Sequence, residues 1–277
     1  MKVKNLLVLP ILFIFTSCEN RLLETLTPSN FKDENIKNEV NMSESEKSEV
    51  RSSVHNFVSH NYIYTGSNVD EIPASEYYSR LSGGEATLTL YVSIDDNFIE
   101  FETMGYRGRV DKDGDEYTTS GTYFDFVGSY VTEDFVKSMY EQYNSEMIYS
   151  FGVMTAIYRT YSQDMSVGGY SIEYNSKDSE WYKKMVCTEN KGGGDLTIGL
   201  NETITVGMTM KDQSSGDVVS TTEADMNYVE LKFENHLLQY CLVCEKVYNI
   251  SDGERKTATS ALSLSTYEYN VNYDDVF

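Results

Sequence analysis

The chain is poor in the residues that most catalytic and nucleic-acid-binding chemistry needs. It has 277 residues but only three histidines, four cysteines and one tryptophan, and 22 basic residues stand against 44 acidic ones. A formal charge of −22 repels phosphate backbones and anionic head groups, which excludes nucleic acid as an expected partner. The three histidines, His55, His60 and His236, leave little for a Ser-His-Asp arrangement, and no Gly-x-Ser-x-Gly elbow occurs. On a helix His55 and His60 would stand about 140° apart, so they do not form a zinc pair, and no His-Glu-x-x-His is present. No catalytic residue, metal ligand or cofactor is therefore expected, and the protein reads as non-enzymatic.

Long apolar runs are also scarce. One runs from Leu6 to Phe15 behind Lys2 and Lys4, and it contains Pro10. At about 10 residues it is half the length a spanning helix needs. A basic start, a short apolar core and small residues after it make a secretory signal peptide over residues 1–17. No second run approaches spanning length, so the remainder is expected to fold in water.

The leader ends Phe15-Thr16-Ser17-Cys18, which resembles a bacterial lipobox. The resemblance implies cleavage before Cys18 and acyl chains, palmitate among them, on its thiol and new amino terminus. One acyl chain anchors marginally and two or three anchor firmly, at about 0.8 kcal/mol per buried CH₂. The expected location is a cell membrane, lipid-anchored on its extracytoplasmic face. Losing Lys2 and Lys4 with the leader moves the formal charge from −22 to −24.

Residues 18–42 are polar without a sustained apolar period and read as a flexible, lipid-anchored tether. A single β-rich domain is expected over residues 43–277. Ser43 and Glu46 form a possible capping box, and Val50, Val54, Phe57 and Val58 continue at helical spacing, which predicts a helix over 44–60. From Ala86 the period becomes two. Ala86–Ile94 and Phe98–Thr103 read as a hairpin around Asp95-Asp96-Asn97, and Asp111–Asp115 separates Tyr106–Val110 from Glu116–Tyr123. Thr132 can cap a helix carrying Phe135, Met139 and Tyr143. Met147–Tyr161 is apolar with mixed period and reads as helix or strand. Beyond Gly168-Gly169, the runs Tyr170–Tyr174, Trp181–Thr188, Leu196–Met210, Asp217–Phe233, Leu237–Tyr248 and Thr257–Tyr273 read as strands between turn-rich separators. The expected class is α+β and β-rich: a curved antiparallel sheet or incomplete barrel, with two or three helices on its open face.

Two short motifs invite specific chemistry. Cys241-Leu242-Val243-Cys244 looks like a redox C-x-x-C, yet i and i+3 on a strand face opposite ways, which favours small buried hydrophobes. Asp111-x-Asp113-Gly114-Asp115 invites calcium, but an EF-hand wants glycine at its sixth place and glutamate at its twelfth. Here Glu116 and Thr122 stand there, so an acidic hairpin turn is the better reading, with weak coordination as the alternative. The 23 tyrosines suit strands, or sugar stacking and an amphipathic cavity.

A lipobox, an acidic tether, a leading helix and long hairpins with a helical insert resemble the LolA/LppX-like lipoprotein group. The closest local match is the strand-turn-strand Val229–Leu238. The resemblance implies a half-barrel crossed by helices around an apolar cavity for lipid, and it carries over no lipid-contacting residue by position. The apolar segment Met147–Tyr158 reads as a lid over such a cavity or as a core element packed on the sheet, which makes Met147, Phe151, Met154 and Ile157 candidate cavity residues. The expected function is binding a hydrophobic or lipid-like ligand at the membrane. The alternative is a surface-displayed structural or adhesion module for protein or glycan.

Overall fold

Strand β1 (Asn56–Thr65) and strand β13 (Glu254–Tyr269) lie side by side in the middle of one antiparallel sheet. Their pairing runs from Phe57↔Tyr269 to Thr65↔Ala261. The computed structural model describes residues 31–66, 68–128, 133–141, 165–167, 170–176 and 181–276. From the central pair the sheet meanders outward both ways. One wing is β2 (Leu88–Ile94), β3 (Phe98–Thr103), β4 (Tyr106–Asp113) and β5 (Glu116–Ser120). The other wing is β12 (Leu237–Ser251), β11 (Val218–Glu234), β10 (Ile204–Asp212), β7 (Tyr170–Ser176) and β6 (Met165–Val167). The sheet is curved and unclosed, as the alternating sequence predicts.

One edge of β11 serves two partners. Met226 to Val218 pair with β10, while Glu230 to Phe233 pair with β9 (Asp195–Leu200), which in turn pairs with β8 (Met185–Gly192). The run Leu196–Met210, expected as one strand, is therefore broken between Leu200 and Ile204. Trp181–Lys184 forms a 3-10 turn and the strand starts at Met185, not at Trp181.

The turns follow their residues. Asn235 and His236 hold φ of 51° and 66° between β11 and β12. That is the left-handed pair a two-residue hairpin requires. Gly114, at φ 63°, turns β4 into β5, and Asp113 pairs with Glu116 across it. The acidic pentad is thus mostly strand with a tight turn.

The expected helix over 44–60 ends early. Helix α2 (Glu44–Ser52) begins at the Ser43–Glu46 capping box, but Asn56 onward pairs with both β2 and β13. Two sheet ladders outweigh a helical spacing that only four residues carried. Tyr106 continues as strand to Asp113, and Thr122–Val127 turns into helix α4 instead of prolonging β5.

The expected flexible tether is structured from Phe31. Helix α1 (Glu34–Val40) is capped by Asp33, whose Oδ1 accepts from Asn35 N at 2.9 Å. Asp33 Oδ2 also accepts from Cys187 N at 2.9 Å, and Glu39 Oε2 from Gly194 N at 3.2 Å. Phe31 and Ile36 are buried at 1% and 0% exposure. Two buried apolar side chains and two anchoring carboxylates hold this polar segment to the β8–β9 hairpin. The packed unit begins upstream of residue 43.

We call inner the face that carries the two larger apolar clusters. Its first cluster joins Phe31 and Ile36 to Met185, Ile198, Leu231 and Phe233. Its second joins Phe57, Val92, Ile99 and Phe101 to Phe124 of α4 and to Val136 and Met139 of helix α5 (Glu133–Glu141). Tyr267, at the centre, touches both. A third cluster lies on the outer face. There Leu242, Cys244, Leu262 and Leu264 are covered by Val69 and by Tyr77 and Leu81 of helix α3 (Tyr77–Ser82). No described helix is long and apolar enough to cross a membrane.

Candidate functional site

The inner face changes character where the two wings meet. The two wings present large apolar groups: Leu90 and Val92 of β2 and Phe101 of β3 on one side, and Val243 of β12 with Leu231, Val229 and Met226 of β11 on the other. The register places Ser59, Asn61 and Ile63 of β1 opposite Tyr267, Ser265 and Ser263 of β13, with Ala261 opposite Thr65. Ser59, Asn61, Ser263, Ser265 and Ala261 thus give the middle of the face small side chains, interrupted by Ile63 and Tyr267, between the apolar groups of the two wings. Ser265 Oγ donates to Asn61 Oδ1 at 2.6 Å, so part of this polarity is already paired. Ser59 is buried, and Ser263, Ser265 and Asn61 are half-buried.

In this central stretch one charged residue, on β12, enters the face, while Lys112 of β4 lies out on one wing over the Tyr117 and Tyr140 rings. On β12 the inward phase reads Cys241, Val243, Glu245, Val247, and Glu245 is flanked by Met226 on β11 and Ala261 on β13. Glu245 is half-buried, and the water it loses among these apolar groups pushes its carboxyl up to about 7. Burial likewise pushes the Cys241 thiol up to about 12 and raises the Tyr267 and Tyr269 hydroxyls. Tyr269 donates to Leu238 O at 2.7 Å.

The outer face is built differently. Arg109 sits between Glu100 and Asp111 at 2.8 and 2.7 Å and lies over the Phe98 ring. Arg255 bridges Glu223 and Asp225 at 2.7 and 2.6 Å over the Tyr248 ring. Lys211 reaches Glu173 at 2.6 Å. Charge is concentrated and paired on this side, as suits a solvated surface.

The residues singled out in the sequence are scattered. Cys18 and the candidate cavity residues Met147, Phe151, Met154 and Ile157 lie outside the described residues, as does Thr132. Cys241 packs on the first inner cluster and Cys244 in the outer one. Opposite faces separate them, and neither they nor Cys187 form a disulfide among the described residues. His60 Nδ1 meets Thr89 Oγ1 at 3.0 Å, while His55 precedes β1 roughly 17 Å away at about 3.3 Å per strand residue. His236 is half-buried in the β11–β12 turn against Gly194. Its backbone N donates to Gly194 O at 3.1 Å. Among the described residues no three His, Cys, Asp or Glu side chains gather as a metal site.

Among the described residues a polar hollow of about 370 Å³ opens beside β8, lined by Lys32, Asp33, Lys184, Met185, Asn201 and Glu202. Lys184 there already donates to Thr203 O at 3.0 Å. Its lining charges are of both signs, which favours solvent over one ligand.

Glu245 escaped the sequence reading, although a signal was present: a lone carboxylate stands in the apolar phase of an alternating strand. No protein-family model and no curated protein matches the chain.

Proposed function

We propose that the protein is a membrane-anchored extracytoplasmic lipoprotein, held by acyl chains on Cys18, that binds a hydrophobic or lipid-like ligand without catalysis. The observation that carries the binding half is the low centre of the inner face. Small Ser, Asn and Ala side chains on β1 and β13, with Ile63 and Tyr267 among them, lie between apolar groups of Leu, Val, Phe and Met on the two wings. An elongated apolar molecule laid along these side chains would cover apolar walls on both sides, each buried methylene contributing about 0.8 kcal/mol. A curved, unclosed sheet supports the same reading, because its inner face can wrap a ligand that a flat sheet cannot. The anchor half rests on the leader and Phe15-Thr16-Ser17-Cys18.

Two experiments test the two halves. Cells fed an alkynyl fatty acid should label the wild-type chain and not Cys18→Ser, and equal labelling of both removes the anchor. Binding of an environment-sensitive fatty-chain fluorophore should be saturable, and Ser263→Phe should weaken it while the circular dichroism melt stays cooperative. Unchanged binding in the folded Ser263→Phe variant would move the ligand off this face.

A further inference from the structure

We propose that the inner face selects amphiphiles that bear a protonated amine, and that Glu245 receives that amine. The inference rests on the inner face being the hydrophobic-ligand surface, and it names the ligand's head group.

Glu245 stands among uncharged neighbours. Along β12 it stands between Val243 and Val247 on the inner face. Across the ladders it faces Met226 on β11 and Ala261 on β13, with Ala224 and Val229 beyond the first and Thr259 and Ser263 beyond the second. None of these carries a charge. Among the described residues neither a hydrogen bond nor an ion pair reaches its carboxylate. The contrast with the outer face is chemical as well as positional. There Glu223 and Asp225 share Arg255, Glu100 and Asp111 share Arg109, and Glu230 accepts from Tyr228 and Tyr240.

A strand position in the apolar phase penalises a carboxylate that lacks a partner. A ligand that brings a cation on an apolar chain answers both needs at once. Its ammonium makes a charge-assisted hydrogen bond with Glu245, and its tail covers Val243, Val247 and Met226. A neutral alcohol would form a bond about half as strong, and a fatty-acid carboxylate would be repelled. A bare metal ion needs several ligands, and Glu245 stands without a second carboxylate on the strands beside it.

Protonation supplies an independent signature. The carboxyl is pushed up to about 7 by burial in the ligand-free protein, and an ammonium beside it would favour the ionised form. Binding near neutral pH therefore releases a proton from Glu245. The strands packed beside it bring no competing titratable group: β11 offers Met226, Ala224 and Val229, and β13 offers Ala261, Thr259 and Ser263. Cys241 on β12 and Tyr267 on β13 share the face, and burial keeps both neutral at pH 7.

The test is isothermal titration of the leader-free chain carrying Cys18→Ser with dodecylamine, dodecanol and dodecanoate, in 0.3 M salt at about pH 7. Two buffers of different ionisation enthalpy count the protons. Dodecylamine should bind about tenfold more tightly than dodecanol, dodecanoate should bind most weakly, and proton release should accompany the amine alone. Glu245→Gln, which keeps a hydrogen-bonding partner for the alcohol, and Glu245→Met should both lose the amine preference and the proton release, with dodecanol binding changed less than dodecylamine binding. Equal affinities in the parent, or an amine preference that survives in either folded variant, would overturn the inference and leave the hydrophobic surface standing. No binding of any of the three would overturn the hydrophobic surface and the inference together.

Discussion

Tyr240 donates its hydroxyl to Oε1 of Glu230 at 2.6 Å across the β11–β12 ladder. Tyr228, two residues before Glu230, donates to Oε2 at the same distance, so one carboxylate is clamped by two phenols. The rings are held in turn. Tyr77 meets Tyr228 edge to face at 5.3 Å, and Tyr78 tilts on Tyr240 at 4.8 Å. Burial, reinforced by Glu230, raises both hydroxyls above the usual tyrosine range. The segment between β1 and β2 is thereby fixed to the outer face through a polar pair of contacts as well as an apolar cluster.

Each phenol of that clamp is expected to contribute a hydrogen bond to a charged acceptor, about 1–2 kcal/mol. Tyr240→Phe and Tyr228→Phe should each lower the unfolding free energy by that amount, seen as a lower urea midpoint with the slope unchanged. The double variant should fall short of the sum or exceed it, because both act on one carboxylate. Additive losses within error would mean the two bonds are independent.

The segment upstream of residue 43 should matter to stability. Phe31 is buried at 1% exposure against the β8–β9 hairpin, and Phe31→Ala should cost about 3–5 kcal/mol. A chain beginning at residue 43 should melt well below one beginning at residue 30. Equal melting temperatures would return the segment to the role of a tether.

Gly108 pairs with Phe101 on the inner face, and the Phe101 ring occupies the place a Cβ would take. Gly108→Ala should displace that ring from Tyr123 and Phe124, its edge-to-face partners, and cost about 1–3 kcal/mol. Gly105→Ala, with open space but φ of 78°, should cost about 1 kcal/mol through backbone strain alone. Chemical denaturation of the two variants separates the mechanisms, and a larger loss at Gly105 would reverse the account.

Glu245 should make stability depend on pH. Its folded carboxyl is raised from 4.5 to about 7, so its contribution is intact below pH 4.5 and is lost as pH rises through 7. The loss amounts to at most about 3 kcal/mol. Calorimetry from pH 5 to 8 should show the wild type losing stability relative to Glu245→Gln. Parallel curves would place the carboxyl in solvent.

The hairpins were legible because their signal is local. Leu88, Leu90, Val92 and Ile94 alternate with polar residues, and Asp95-Asp96-Asn97 turns the chain, so register and face follow from period two. What failed depended on distant partners. Val54, Phe57 and Val58 fit a helical spacing as well as a strand, and only β2 and β13 decide between them. Phe31 and Ile36 are isolated apolar residues in a polar stretch, and their burial depends on a hairpin more than 140 residues away. The pairing of β1 with β13 joins the two ends of the fold and has no local signature. The grouping of small side chains on the inner face follows from that pairing alone, so the candidate site emerged only with the sheet assembled.

Native mass spectrometry tests the central claim most directly. The leader-free chain with Cys18→Ser would be incubated with a detergent-free membrane lipid extract, repurified and sprayed under non-denaturing conditions. A stoichiometric added mass of an intact lipid or amphiphile is expected, lost on denaturation and reduced in Ser263→Phe. A bare protein mass after saturating exposure would contradict a ligand-binding inner face and would favour a displayed module that acts through its surface.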